Sequence, residues 1–422
     1  MSELRVEEAA PARPAALAGR VLREPSVQLL ASQVLTGGVA MAANILMVRS
    51  LSPTHRGEVA LMLQVVYLAT QVLLMGTERS FVAAYHNVAP APAVRAYGRL
   101  LAVPCLVFLS GAVIWHLAAP DRLTPGPVIV AMLAVFALIE AASLATRSIA
   151  IAVGRVRDFL VARVLEALLL LAMLIGLYVA GAARPELWFL AYLFAGATPT
   201  VVYLLIWTRL PVTAAATPLD PAVNRQVRRE GLALFPAALS NMAMLRVDRL
   251  VIPALASTAA LGHYASVATM TELLAWPVRA YADSRLGRWR ASHREGTLRT
   301  APILLAVGAY ALVVVPVVAG GLYLLIEPLF GHDYADAKVV VLPLVVAAGL
   351  YAVSRVSLGL LIAKGHGGLV SAAEITGFVV SFAAYLLLIP RLGILGAAYG
   401  SLAGYGACLV FAMIATKLVR ER

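Results

Sequence analysis

Twelve stretches of this chain, each about twenty residues long and poor in charge, constrain it more than any motif, because that is the length an α-helix needs to cross a bilayer core. They fall roughly at residues 27 to 48, 58 to 78, 99 to 119, 126 to 150, 160 to 181, 187 to 208, 232 to 255, 261 to 283, 301 to 326, 338 to 363, 369 to 389 and 395 to 417. A transmembrane barrel would instead need short strands that alternate apolar and polar residues. Composition agrees with helices in a membrane: 61% of the 422 residues are hydrophobic, 13% are charged, and the mean hydropathy is +0.87. The expected fold is an all-α polytopic membrane protein with about twelve transmembrane helices.

The formal charge of +12 is explained by topology. Arginine and lysine in the loops divide between the two sides as twenty-three against six, the poorer side holding only Arg49, Arg56, Arg122, Arg184, Lys338 and Arg391. By the positive-inside rule both termini are cytoplasmic, in the plasma (inner) membrane. No basic block is interleaved with aromatics, so a nucleic-acid partner is not expected. Cys105 and Cys408 lie within spans and at no metal-ligand spacing, which predicts neither disulfide nor metal site.

The two halves repeat. SPTHRGEVA (Ser52 to Ala60) matches STAALGHYA (Ser257 to Ala265) at an offset of 205, which also carries Glu78 onto Asp283, and IAVGR (Ile151 to Arg155) matches IAKGH (Ile362 to His366) at an offset of 211. Six helices per copy, an even number, give both copies one orientation about an axis along the membrane normal. The expected organisation is a cytoplasmic tail over 1–26, an N-lobe over 27–208, a cytoplasmic linker over 209–230 and a C-lobe over 231–422, with a central cleft between pseudo-symmetric six-helix lobes.

Charge inside these spans is costly unless it faces protein or water. SNMAMLRVDRLVIPAL (Ser240 to Leu255) places Arg246, Asp248 and Arg249 within four positions. On a continuous helix Arg249 lies about 100° and Arg246 about 160° round from Asp248, so Asp248 and the arginines are expected to meet different partners, the cluster being either a structural ion pair or an anion site. Polar stripes at helical spacing occur elsewhere: Gln33, Gly37, Ala40 and Asn44; Gln64, Tyr67, Gln71 and Glu78; Glu140, Ser143 and Arg147; Thr269, Glu272, Trp276, Arg279 and Asp283; Tyr351, Ser354 and Arg355; Ser371, Glu374, Ser381 and Tyr385. A shared aqueous lumen accounts for them. Arg79, Arg147, Arg246, Arg249, Arg279 and Arg355, with Asn44 and Gln71, are candidates for substrate binding. Glu78, Glu140, Asp248, Glu272, Asp283 and Glu374 are candidates for ion coupling or gating, with Glu374 expected to be unpaired and Glu140 either to form a structural pair with Arg147 or to take part in binding. Gly396, Gly400 and Gly404 read as a packing face, and Trp115, Trp188, Trp207 and Trp289 as interfacial anchors. No Walker loop, nucleophile elbow, zinc motif or large external loop is present, so catalysis and cofactors are not expected.

RSLSPTHRGEVALML, PAALSNMAMLRVDRLVIPALASTAALGHYASVATM, LFGHDYADA and IPRLGILGAAYGS, in that order, resemble the Wzx-type polysaccharide flippases of the MATE-like MOP superfamily. The resemblance covers essentially the whole chain. It implies two six-helix bundles around a V-shaped cleft that opens alternately to each side. It also implies a passenger linked to polyprenyl pyrophosphate, whose sugar head group enters the cleft while the lipid tail stays in the membrane, with glycosyltransferases and a polymerase of the same pathway as partners. The family's cleft cations would fall on Arg246, Arg249, Arg279 and Arg355. Helix one offers Gln33 and Asn44 where lipid II flippases and many drug-exporting relatives carry a charge. A cation-coupled small-molecule exporter is the alternative, and a membrane-embedded polymerase or acyltransferase is disfavoured by the shortness of its largest external segment, HDYADAK.

Overall fold

A computed structural model of the protein describes residues 25–85, 88–118, 126–210 and 221–419, with side chains from residue 34 onward apart from residue 221. The tail expected over 1–26 falls outside the described residues up to position 24, as do positions 211–220 of the expected linker. Fourteen α-helices and one 3-10 helix account for the described chain, with no strand among the described residues. They are α1 (Pro25–Ser50), α2 (Pro53–Leu74), α3 (Thr77–Ala84), α4 (Pro90–Ala118), α5 (Pro127–Val153), α6 (Val156–Val179), α7 (Pro185–Arg209), α8 (Pro221–Arg246), α9 (Asp248–Leu255), α10 (Thr258–Arg294), α11 (Thr300–Phe330), the 3-10 segment His332–Val340, α12 (Val341–Ala363), α13 (Gly367–Leu392) and α14 (Ile394–Leu418). The protein is a multi-pass membrane protein.

Nine of the expected spans are long and apolar enough to cross a bilayer by themselves, and α1 adds an apolar stretch from Val34 to Ser50. The remaining two, α8 with α9 and α10, carry the charges that the rest of the fold encloses. Two spans are broken. After α2 the chain turns through Met75 and Gly76, both with positive φ (48° and 72°), before α3 restarts. A Cβ on Gly76 would strike the Gly231 carbonyl of α8, so only glycine permits this crossing. The seventh span begins at Pro221, eleven residues before the expected 232, and breaks at Val247. There Val247 keeps helical backbone angles, and the Asp248 carboxylate accepts the backbone N–H of Arg249 at 2.8 Å.

The apolar core forms three clusters. The first draws on α1 to α7, with Phe81, Tyr97, Phe136, Trp188 and Phe189 at its centre and Val227 of α8 joining it. The other two draw on α8 to α14, and Val48 and Ala60 enter the second from the first half.

That crossing point is where the repeat becomes structural. The helix boundaries Ser50 and Pro53 recur at Leu255 and Thr258, and the caps Ser52 and Ser257 each accept a backbone N–H three residues on, all at the offset of 205. α2 and α10 cross through Gly57 and Gly262, the same offset again. A Cβ on Gly57 would fall inside 3 Å of the Thr258 carbonyl, and one on Gly262 inside 3 Å of the Pro53 carbonyl, which is the repeat partner of Thr258. The two backbones therefore touch in a reciprocal clasp. Around it, Tyr334 donates to the Leu51 carbonyl at 3.0 Å and Arg49 reaches the carbonyls of Leu329 and Pro328.

The glycine face of α14 packs as expected: Gly396, Gly400 and Gly404 meet Leu388, Tyr385 and Ser381 of α13, each too close for a Cβ. Of the tryptophans expected as anchors, Trp115 is exposed, whereas Trp188, Trp207 and Trp289 are buried in the core.

Candidate functional site: an arginine-lined cavity

Two arginines flank Val247, three positions apart and so on one helix face. Arg246 ends α8 and Arg249 opens α9, and both guanidinium groups reach the carboxylate of Glu272 on α10: Arg246 at 3.1 Å, and Arg249 closer still. The two arginines thus act from a shared face, and it is Asp248 that meets a different partner, as expected. Asp248 points elsewhere, accepting from the Tyr264 hydroxyl at 2.6 Å, and Tyr264 and Tyr385 both contact Ser401 (3.2 and 2.9 Å). This chain of bonds ties α9, α10, α13 and α14 together. Two cations share one carboxylate in the triad, and the Nε atoms of both arginines are buried without an acceptor.

The triad forms one end of a cavity of about 60 Å³, lined also by Thr271, Trp276, Arg279, Tyr351 and Tyr405, which is room for a few water molecules. The guanidinium of Arg246 lies 5.4 Å from the centre of the Tyr67 ring, a cation–π contact from the second half to the first. Trp276 packs on Gly37 of α1, where a Cβ would sit 3.4 Å from the indole.

Away from the clasp, toward the far end of α10, the exposed side chains of Arg279 and Asp283 face those of Arg79 on α3 and Arg147 on α5, whose charges act on one another. Among the described residues no ion pair within 4 Å involves any of the four. Glu78 stands beside Arg79 in sequence, with one carboxylate oxygen buried and unpartnered. At the clasped end, by contrast, Asn44 is fully buried, donating to the Ser266 carbonyl at 2.8 Å.

Against sequence expectation, Glu374 is paired: Arg355 on α12 reaches it at 2.9 Å, with the guanidinium stacked 4.7 Å from the Tyr351 ring. Helix packing, which spacing along one chain cannot reveal, brings α12 and α13 together here. Glu140 does not pair with Arg147. Arg163 on α6 is the cation that acts on it, and Arg163 is itself held by both oxygens of Glu166 at 2.8 and 2.9 Å. Arg163 lies within the fifth span expected over 160 to 181. Gln71 is half-buried.

No protein-family model matches the sequence, and no curated protein matches it. Solved structures do match by fold. The inward-facing conformation of a multidrug resistance MATE family transporter of the MOP superfamily superposes with a TM-score of 0.69 at 17% identity, covering 96% of this chain and 98% of that one. The chain has the fold of MOP-superfamily transporters. Lipid II flippase MurJ in an inward closed conformation matches at a TM-score of 0.67 and 10% identity, covering 93% of this chain and 87% of that one. An outward-facing MATE transporter of the same superfamily matches at 0.59 and 15% identity, covering 96% and 98%. In this MOP fold the triad and Arg279 belong to the second half, while Tyr67, Arg79 and Arg147 reach toward them from the first.

The repeat also exposes a signal that sequence reading had passed over. At the offset of 205, Arg249 corresponds to Asn44 and Glu272 to Tyr67. The halves share a scaffold and differ in the charges placed on it.

Proposed function

We propose that the chain flips a lipid-linked oligosaccharide of the undecaprenyl-pyrophosphate type across the plasma (inner) membrane for assembly of a cell-surface polysaccharide. The observation that carries this reading is the arginine excess of the cavity and its mouth. Arg246 and Arg249 share one carboxylate, and Arg79, Arg147 and Arg279 lack ion-pair partners among the described residues. Guanidinium groups bind phosphate oxygens through a fixed fork of donors, and a pyrophosphate brings charge to match them.

The two halves act as N- and C-lobes, and the arginine-rich end faces the cytoplasm, as do both termini, in line with the loop charges. In this conformation the lobes are clasped at the outer end and Arg79, Arg147 and Arg279 are exposed at the inner one, which agrees with the better match to an inward-facing relative than to an outward-facing one. The cavity is too small for a sugar head group, so the head group first meets the mouth arginines, and the lobes part further to admit it. An inside-negative potential favours outward movement of an anion by about 2.3 kcal/mol per charge per 100 mV, so a dianionic head group needs no coupled ion. Glycosyltransferases and a polymerase of the same pathway are the expected partners.

The second reading is cation-coupled export of small molecules, which the likeness to MATE transporters and the buried carboxylate of Asp248 support. Reconstituted protein separates the two. Movement of a polyprenyl-pyrophosphate saccharide that responds to an imposed potential, and competition by such lipids but not by lipophilic cations, supports flipping. Transport that ignores potential and collapses without a proton or sodium gradient refutes it.

A further inference from the structure

Arg56 was assigned to a loop on sequence grounds, yet it lies in the first turn of α2 and is 3% exposed, one residue from the Gly57 clasp. Its Nη2 donates to Asn44 Oδ1 at 2.8 Å, and Asn44 in turn donates to the Ser266 carbonyl of α10, so the guanidinium is part of the seam between the halves. Nothing balances its charge. Among the described residues no carboxylate lies within ion-pair distance of it, and its Nε is buried without an acceptor. The charged group that acts on it across the seam is another cation, Arg249. Removing an ion from water costs several kcal/mol unless an opposite charge compensates it, and here the seam adds a like charge.

The surroundings are those of an anion. The phenols of Tyr192 and Tyr334 stand near the guanidinium. On the far side of Tyr334, whose ring meets that of His263 edge-on at 5.5 Å, His263 Nδ1 is also buried and unpartnered. The carboxylates of Asp333 and Asp336 act on His263, from the rim. With two backbones in contact one residue away, close packing favours a single-atom ion over a tetrahedral oxyanion.

We propose that the seam holds a small inorganic anion of the halide class against Arg56, and that this ion stabilises the clasped state. The site is separate from the cavity and stands whether the passenger is a lipid-linked sugar or a small molecule.

The test uses the purified full chain in detergent, with no transported substrate added. Thermal unfolding is followed in sodium chloride, sodium bromide and sodium gluconate at equal ionic strength. The expected result is a saturable rise in the melting midpoint with chloride and bromide over gluconate, absent in R56Q. Equal midpoints in all three salts, or a halide response retained in R56Q, would overturn the proposal. Should R56Q yield no folded protein, bromide-soaked crystals of the unaltered chain decide it: anomalous density beside the Arg56 guanidinium supports the site, and its absence there refutes it.

Discussion

The clasp between α2 and α10 makes a sharp prediction about Gly57→Ala and Gly262→Ala. A new Cβ at either position falls inside 3 Å of a backbone carbonyl, more than about 0.5 Å short of ordinary carbon contact, and that carbonyl belongs to a helix rather than to a side chain that can rotate away. The helices must separate there. Overpacking of this kind costs about 1–3 kcal/mol, and the cost falls only on the state in which the helices touch. Alanine also favours helix by about 1 kcal/mol over glycine, but in both states alike, so that gain cancels. The ratio of unclasped to clasped molecules should therefore rise about 5- to 150-fold, at roughly 1.4 kcal/mol per factor of ten. Ser266, fully buried beside the clasp, reports it. In a background with Cys105 and Cys408 replaced by serine, Ser266→Cys should react with a membrane-impermeant maleimide faster by a comparable factor in either glycine variant. Gly111→Ala, where a Cβ meets nothing within 4 Å, is the control and should leave the rate unchanged. Unchanged labelling in both clasp variants, with protein that remains monodisperse, would show that the crossing does not seal the chain.

Other consequences follow from the same coordinates. Glu272→Ala leaves Arg246 and Arg249 without their shared carboxylate, and should lower stability by about 3–5 kcal/mol, seen as a fall in melting midpoint that Glu272→Asp partly restores. Arg279→Ala, which removes an exposed and unpaired cation, should abolish transport or complementation while leaving membrane insertion and melting unchanged; normal activity would remove it from the binding surface. Gly404→Val should prevent α13 and α14 from closing on Ser381 and Gly377, giving little folded protein by size-exclusion chromatography, whereas Gly406→Ala, with its nearest neighbour a leucine methyl at 3.7 Å, should be tolerated.

Helix number and the repeat could be read from the sequence because both rest on period and length: apolar runs announce spans, and an offset of 205 announces two copies. The pairings could not. Arg355 and Glu374 sit nineteen positions apart on different helices, and only the packing of α12 on α13 makes them partners. Arg246 and Arg249 share a helix face, but that both reach Glu272 depends on the packing of α10 beside them, which spacing along one helix does not give. Arg56 was misassigned for a different reason. SPTHRG has the composition of a loop, but Pro53 begins a helix there and the two glycines draw the following turn into the seam.

The repeat explains why the charges are found where they are. A two-fold scaffold needs its symmetric contacts only where the halves cross, and there the chain keeps them: Ser52 with Ser257, Gly57 with Gly262, and Pro53 and Thr258 offering the carbonyls. One turn inward the copies part, Asn44 against Arg249 and Tyr67 against Glu272. At these paired positions the first half contributes an amide and an aromatic face, onto which Arg246 stacks, while the second contributes ions. A site built that way can bind an anion on one lobe and still let the other slide past it, since a ring face and an amide release a guanidinium at less cost than a carboxylate does. Converting Tyr67 to glutamate, its counterpart's residue, should therefore lock Arg246 across the lobes and slow transport without weakening the fold. Transport at the unaltered rate in Tyr67→Glu would mean that the contact between the halves does not break during the cycle.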